Sequence, residues 1–240
     1  MSITTINNIV SSGLLADRPT SPSLVAPSTG SKPSVFYLAT DVPAAYAWDF
    51  TNAVWILIGS KKVPLLSNFT IGNQPAGSTF SDTSTGIVMQ GPSQSLVLQA
   101  LEYNTALTST SFTIIAHVLP AFGTGNSGAG IFVRDASGKV VQWGTSPPAA
   151  SGQLENLNYW NTYTSFNSNP VNFTGAAQYW IKMTSDGTTF SFYNGTDMNA
   201  MALRTTASAT AFIGTPTKVG IYQYLYTEGL TTAFPYFSLA

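Results

Sequence analysis

The chain has 240 residues, a net charge of −1, only 8% charged residues and no cysteine. Disulfides and thiolate metal sites are therefore excluded. With no basic cluster beyond Lys61-Lys62, a nucleic-acid partner is not expected. Ser, Thr, Asn and Gly fill the charge deficit, and a surface of hydroxyls and amides suits contact with sugars, other protein chains or copies of itself.

Residues 1–13 are polar and non-periodic, with Ile3, Ile6, Ile9 and Val10 the apolar exceptions. Alone they cannot offset their ordering entropy, so they read either as a disordered tail or as an extended arm that orders on a partner. Pro19, Pro22 and Pro27 then mark an extended connector to residue 31. A compact β pattern follows in SVFYLATD (34–41), AYAWD (45–49) and AVWILIGS (53–60), with turns at Asp41–Pro43 and Asp49–Asn52. Three strands in so short a stretch make a meander that is marginal alone.

Leu15, Arg18, Pro19, Phe36, Tyr37, Ala39, Thr40, Asp41, Tyr46, Trp48, Asp49 and Trp55 give this stretch a recognisable order and spacing. It resembles a small adaptor module common in bacteriophage tail-fibre and spike proteins, over residues 14–60. Lys32-Pro33 stands where that module has a glycine, and the glycine before the final tryptophan is absent. The resemblance implies a virion protein assembled as a homotrimer, with residues 1–31 as an attachment arm contacting other virion proteins and residues 32–60 as the adaptor.

Residues 61–79 read as a Pro/Gly/Ser-punctuated linker. From about residue 80 strand-like runs recur: 86–90, 95–101, 111–119, 130–135, 139–144, 178–183, 188–195, 201–206, 218–226 and 234–240. No helical period persists, so residues 80–240 are expected to form an antiparallel β-sandwich in an all-β chain. Its plainest element is YWIKMTSDGTTFSFYNG (179–195), two strands about an Asp186-Gly187 turn, with Trp180 and Phe190 expected in the core. Gly130, Arg134, Asp135, Gly138, Trp180, Ile181, Lys182, Asp186, Gly187, Val219, Gly220, Tyr236 and Phe237 follow a family pattern. That pattern is similar to the concanavalin A-like, laminin-G-like jelly roll, although the usual Asp-Gly-x-x-Trp is replaced by residues 197–201. The resemblance implies the fold and leaves open lectin, hydrolase and spacer roles.

Residue chemistry narrows those roles. Polysaccharide cleavage on this sandwich needs carboxylates alternating along a strand, and none of the ten acidic residues recurs that way, so no enzyme is expected. His117 stands alone in an apolar run and reads as a strand histidine, and no cofactor is expected. Asp135 with a neighbouring loop carbonyl is a candidate calcium site; the alternative is a turn aspartate capping backbone amides. GTGNSGAG (123–130) lacks the following helix of a phosphate cradle and reads as a connection.

Two stretches suit recognition. Tyr159, Trp160, Tyr163 and Phe166 lie among Asn, Thr and Ser in a segment read as an aromatic loop, a composition that fits a glycan platform or a protein interface. Tyr222, Tyr224 and Tyr226 alternate on a strand, and their rings are expected to face outward if Val219, Ile221 and Leu225 face the core. Ordinary packing or a subunit contact is the alternative for both. The expected function is host-surface binding by a virion fibre or spike, through a receptor of glycan or protein. A structural head or tail fibre or decoration protein is the competitor, and a polysaccharide-degrading enzyme is disfavoured. No membrane insertion is expected, since no apolar run reaches the ~20 residues of a membrane helix. The N-terminus lacks the pattern of a secretory signal, which fits synthesis in the host cytoplasm and exposure on the particle.

Overall fold

The computed structural model describes residues 8–13, 34–39, 44–49, 54–60, 63–84, 86–121, 127–146, 154–174, 180–226 and 229–240. The chain divides into two compact units, Met1–Lys62 and Val63–Ala240. The expected turns at 41–43 and 50–52, most of the arm and connector, and the loop at 123–126 lie outside the described residues.

In the first unit β1 (Asn8–Gly13), β2 (Ser34–Ala39), β3 (Ala44–Asp49) and β4 (Val54–Ser60) form one sheet in that order. Part of the stretch read as tail or arm is thus a strand, β1, which pairs in parallel with β2. The three expected strands form the antiparallel remainder, with Tyr37 opposite Tyr46 and Trp48 opposite Trp55.

The second unit holds β5 (Phe69–Asn73), β6 (Thr79–Thr83), β7 (Gly86–Gly91), β8 (Val97–Tyr103), β9 (Ser111–Ala121), β10 (Gly128–Asp135) and β11 (Val140–Ser146). It continues with β12 (Leu154–Thr162), β13 (Ser165–Thr174), β14 (Trp180–Asp186), β15 (Thr189–Gly195), β16 (Ala202–Ser208), β17 (Pro216–Leu225) and β18 (Leu230–Leu239). A front sheet runs β13-β12-β11-β10-β17-β8-β5 and a back sheet β16-β15-β14-β9-β18-β7-β6, all neighbours antiparallel, and the two form a jelly-roll β-sandwich. The stretch expected as a linker contributes β5 and the start of β6, the edge strands at one end of each sheet. The stretch expected as an aromatic loop is the long β12–β13 hairpin.

Alternating apolar residues meet between the sheets. Ile131, Val133, Val141, Trp143, Leu157, Val219 and Ile221 from the front pack with Ile114, Ile181, Met183, Phe190, Phe192 and Phe234 from the back. Trp143 is fully buried, and its indole Nε1 crosses the core to donate to the Tyr193 carbonyl at 2.9 Å. The β14–β15 hairpin turns where expected: Gly187 has φ +94°, and Asp186 Oδ1 accepts from the amides of Thr188 and Thr189 at 2.8 and 2.7 Å. Phe190 lies in the core, but Trp180 does not. Ile181 and Met183 take the inward positions of β14, so alternation turns Trp180 to the outer face of the back sheet, where it is half-buried. No helix among the described residues is long and apolar enough to cross a membrane.

Candidate functional site

The outer face of the front sheet carries a second apolar cluster: Leu98, Ala100, Phe132, Val140, Trp160, Tyr222 and Tyr224, with Leu96 and Tyr163 packed against it. Tyr222 and Tyr224 do turn away from the sandwich core, yet they are only 0% and 7% exposed, contrary to the expectation of solvent-facing rings. Register supplies the reason. Tyr222 sits beside Gly130, which sits beside Gly144, and Tyr224 sits beside Gly128. A Cβ added at Gly144 would lie 2.3 Å from the Tyr222 hydroxyl, and one at Gly128 would lie 2.5 Å from the Tyr224 ring. The two rings therefore lie across glycine, nearly parallel, 6.4 Å apart at 15°. Phe132 covers Gly220 in the same way, its ring 2.7 Å from where a Cβ would stand.

The β12–β13 hairpin closes over this cluster. Alternation puts Asn156, Asn158 and Trp160 on the same side of β12, and Trp160 is fully buried, not a surface platform. Phe166, 38% exposed, packs edge-on against the Trp160 ring at 5.2 Å. Tyr163, in the turn, reaches strands far from its own: its carbonyl accepts from the Leu98 amide at 2.9 Å, and its hydroxyl donates to Glu102 Oε1 at 2.7 Å. Its ring meets Phe132 at 5.8 Å and lies under the Arg134 guanidinium at 5.2 Å. Arg134 also donates to Glu102 at 3.0 Å, while Lys218 stands 3.9 Å from the same carboxylate. Burial first, and then the Glu102 carboxylate, push the Tyr163 phenol well above its ordinary range, so it remains a donor. Burial does the same for Tyr222.

Polar atoms on this face are unusually short of partners. Among the described residues, eleven buried side-chain N or O atoms lack a hydrogen bond, and six belong here: Arg134 Nε, Gln142 Nε2 and Oε1, Asn158 Oδ1, Trp160 Nε1 and the Tyr222 hydroxyl. The others belong to Ser78 and to the inward-facing Asn194, Gln223 and Thr232. Gln142 lies between Phe132 and Asn158 in register, and the Asn158 amide donates to Asn156 Oδ1 at 3.2 Å. The Asn156 amide in turn lies 3.5 Å from the Tyr224 hydroxyl. Uncharged amides, an indole and phenols thus converge beside flat aromatic rings.

Five of the seven expected site residues, Trp160, Tyr163, Phe166, Tyr222 and Tyr224, meet here, from two stretches far apart in sequence. Tyr159 does not: alternation places it on the other side of β12, where its ring stacks on Phe212 at 4.6 Å and 7°. Tyr226 lies just past the end of β17 and is 38% exposed. Gln142, Asn156 and Asn158 were missed, although the period-2 row Asn156, Asn158, Trp160 was readable as one face of a strand. A separate aromatic row crosses the outer face of the back sheet, where His117 stacks on Trp180 at 4.5 Å and 4° and Tyr236 packs on Trp180 at 5.3 Å.

Asp135, the candidate calcium ligand, is 4% exposed with both carboxylate oxygens engaged. Oδ1 accepts from Ser137 Oγ at 2.7 Å and the Lys139 amide at 3.0 Å; Oδ2 accepts from the Gly214 amide at 2.8 Å. That is the geometry of a turn aspartate, and among the described residues no group of three or more His, Cys, Asp or Glu could hold a metal ion. Burial raises the Asp135 pKa, but the hydrogen bonds from Gly214, Ser137 and Lys139 outweigh it and leave it below its ordinary value. A lowered folded-state pKa means a stabilising contribution that is fully present above the unfolded value, about pH 4, and lost as pH falls through the folded one. Asp135→Asn is expected to cost about 1–3 kcal/mol at neutral pH in urea denaturation and to remove that part of the acid dependence. Unchanged stability at neutral pH would contradict this role.

The sequence matches no protein-family model and no curated protein. Solved structures do share the fold. A functionally unknown protein from Saccharomyces cerevisiae is similar with a TM-score of 0.54 at 17% identity, covering 73% of this chain and 97% of its own. The carbohydrate binding module CBM66 from Bacillus subtilis gives a TM-score of 0.51 at 14% identity, covering 74% and 98%. The GH43 protein BlXynB from Bacillus licheniformis gives 0.56 at 9% identity, covering 93% of this chain and 56% of its own. Likeness at these identities concerns the fold.

Proposed function

We propose that this chain is a recognition protein that binds a neutral glycan through the outer face of its front sheet, by contact and without catalysis. One observation carries the reading: five uncharged polar atoms on Gln142, Asn158, Trp160 and Tyr222 are buried on that face without partners. The contrast within the same sheet is direct, because the Trp143 indole finds a carbonyl and the Trp160 indole finds nothing. A buried group left without any partner costs roughly 1–3 kcal/mol, so these atoms call for partners that the protein itself does not supply, from a ligand or from ordered water.

Apart from Arg134 Nε, whose guanidinium is already paired with Glu102, the unpartnered atoms on this face are donors and acceptors without charge. A sugar hydroxyl both donates and accepts, and a side-chain amide offers one donor and one acceptor side by side to neighbouring hydroxyls. A carboxylate or phosphate would bring only acceptors toward Gln142 Oε1 and Asn158 Oδ1, which need donors. The flat rings of Tyr222 and Tyr224 suit the apolar faces of sugar rings. A carbohydrate binding module of the same fold is in keeping with this use. Glu102, the carboxylate on this face, is engaged by Arg134 and Tyr163, which does not suit it to acid–base chemistry on a glycosidic bond.

The resemblance of residues 14–60 to the phage adaptor supports a further placement. The chain is a fibre or spike component of a bacteriophage particle, homotrimeric, made in the host cytoplasm. Its first unit joins other virion proteins and its sandwich meets the host surface. An antibody to the chain is expected to label fibres or spikes of purified tails; label confined to the capsid shell, or none on particles, would contradict this.

Titration calorimetry of the full chain against neutral glycans tests the binding claim. Gln142→Leu replaces an amide with unmet needs by an apolar group of similar size. It is expected to lower affinity at least roughly tenfold while leaving stability unchanged or higher. Because the contacts are uncharged, affinity is expected to hold within about threefold up to ~1 M salt. Affinity equal to wild type in the leucine variant, or no binding to any neutral glycan, would overturn the reading; the latter would leave ordered water as the partner of these atoms.

A further inference from the structure

We propose that the β5 edge of the sandwich receives an extended segment of another protein, which adds a strand to the front sheet and sets an apolar side chain between the sheets. The core is open at that edge. Leu66, Phe69, Ile71, Phe80 and Leu101 line a recess of about 370 Å³ between edge strands β5 and β6. Pairing puts Ile71 opposite Leu101 and Phe80 opposite Met89, so both point inward, on the side of the sandwich core. Yet Ile71 is 54% exposed, whereas Leu101 is 1% exposed. An inward-facing isoleucine in water marks a place where the core lacks a neighbour. The opposite end of the sandwich is closed: Arg204 of β16 donates to Glu155 of β12 at 2.7 Å, and its guanidinium lies over the Phe173 ring at 4.8 Å.

Unpaired backbone beside the recess makes the occupant a strand. Among the described residues β5 pairs with β8 alone and β6 with β7 alone, so alternate amides and carbonyls of β5 point away from the sheet. Edge strands are commonly guarded by a charge or a proline. β13 has Pro170, β16 has Arg204 and β6 has Asp82, but β5 has neither. A strand laid along β5 would satisfy its outward backbone groups, and every second side chain would point toward the recess. The added strand is a short one, since β5 has five residues and its pairing with β8 shifts after Ile71.

The walls set the partner's side chains. None of the described lining residues is charged, and the polar ones are Gln74 and Thr79. Asp82, two residues along β6 from Phe80, is already engaged, accepting from the Leu66 amide at 2.7 Å. The inserted side chain is therefore aliphatic or aromatic, and the residues flanking it are uncharged. A second copy paired through β5 would bring its own recess to the contact and fill neither, so the partner is a different chain.

Fluorescence anisotropy of the full chain with labelled, end-capped heptapeptides Ser-Thr-Ser-X-Ser-Thr-Ser tests this. Peptides with Leu or Phe at X are expected to bind saturably, and those with Ala or Lys at least roughly tenfold more weakly. The backbone is read separately, by N-methylation of the leucine peptide. Methyl groups on one alternating set of amides are expected to abolish binding and on the other set to be tolerated, because only one set faces β5. Ile71→Asp, at a position already open to water, is expected to weaken the leucine peptide at least roughly tenfold while the urea midpoint is unchanged. No binding by the Leu and Phe peptides, equal binding of the Lys peptide, or tolerance of both methylation sets would overturn the proposal; the last would leave a pocket for apolar small molecules. Concentration-dependent self-association that Ile71→Asp removes, read by analytical ultracentrifugation, would assign the edge to a second copy and overturn it as well.

Discussion

Glycine opposite aromatic rings is the constraint on which the front sheet depends. Gly128, Gly130, Gly144 and Gly220 leave the outer face low enough for Tyr222, Tyr224 and Phe132 to lie across neighbouring strands. With those rings flat, the β12–β13 hairpin can fold over them and carry Tyr163 to β8 and β5. As a result every residue of β17 from Val219 to Leu225 is buried, on both faces of an antiparallel sheet. Antiparallel sheets more often leave one face to water, so this second buried face is a feature that the fold alone does not demand. A methyl group at Gly130 would meet the Trp143 carbonyl oxygen at 2.2 Å, which shows how little room the arrangement has.

Sparse charge is the complementary feature. The charged side chains that define the front sheet are used as fasteners. Glu102 gathers Arg134, Lys218 and Tyr163, and Glu155 of β12 pairs with Arg204 of β16 at 2.7 Å to tie front and back sheets along one edge. Burial raises the Glu155 pKa while Arg204 opposes that rise, which marks a pair partly withdrawn from water, where an ion pair offsets desolvation more than it adds stability. Apart from Arg134 Nε, the unpartnered polar groups proposed for recognition on that face are uncharged: amides, an indole and a phenol. Selectivity would then come from hydrogen-bond geometry and shape, and long-range attraction would contribute little.

Much of the architecture was legible because alternation and turn chemistry are local. The Asp186-Gly187 turn needs only two residues, and the strands of the sandwich announce themselves through period-2 runs. Trp180 was misplaced for a related reason: alternation says that Trp180 and Ile181 face opposite ways, but not which way is inward. Neighbouring strands decide that, and Ile114 and Phe192 lie on the side of Ile181 and Met183. The proposed recognition residues were half legible. Composition singled out Trp160, Tyr163, Tyr222 and Tyr224, whereas their burial depends on glycines one and two strands away, a register no single segment encodes. Gln142 sits between valine and tryptophan in KVVQWG and looked like an ordinary strand residue; its significance lies in facing Asn158 and Phe132 across the sheet.

Glycan binding by the front sheet is tested most directly by a crystal structure of the full chain with a neutral oligosaccharide that it binds. The expected result is a sugar residue within hydrogen-bond distance of Gln142, Asn158 and the Trp160 indole, its ring against Tyr222 or Tyr224. A sugar bound instead at Tyr226, or on the His117–Trp180–Tyr236 row of the back sheet, with Gln142 and Asn158 bonded only to water, would contradict glycan binding by the front sheet.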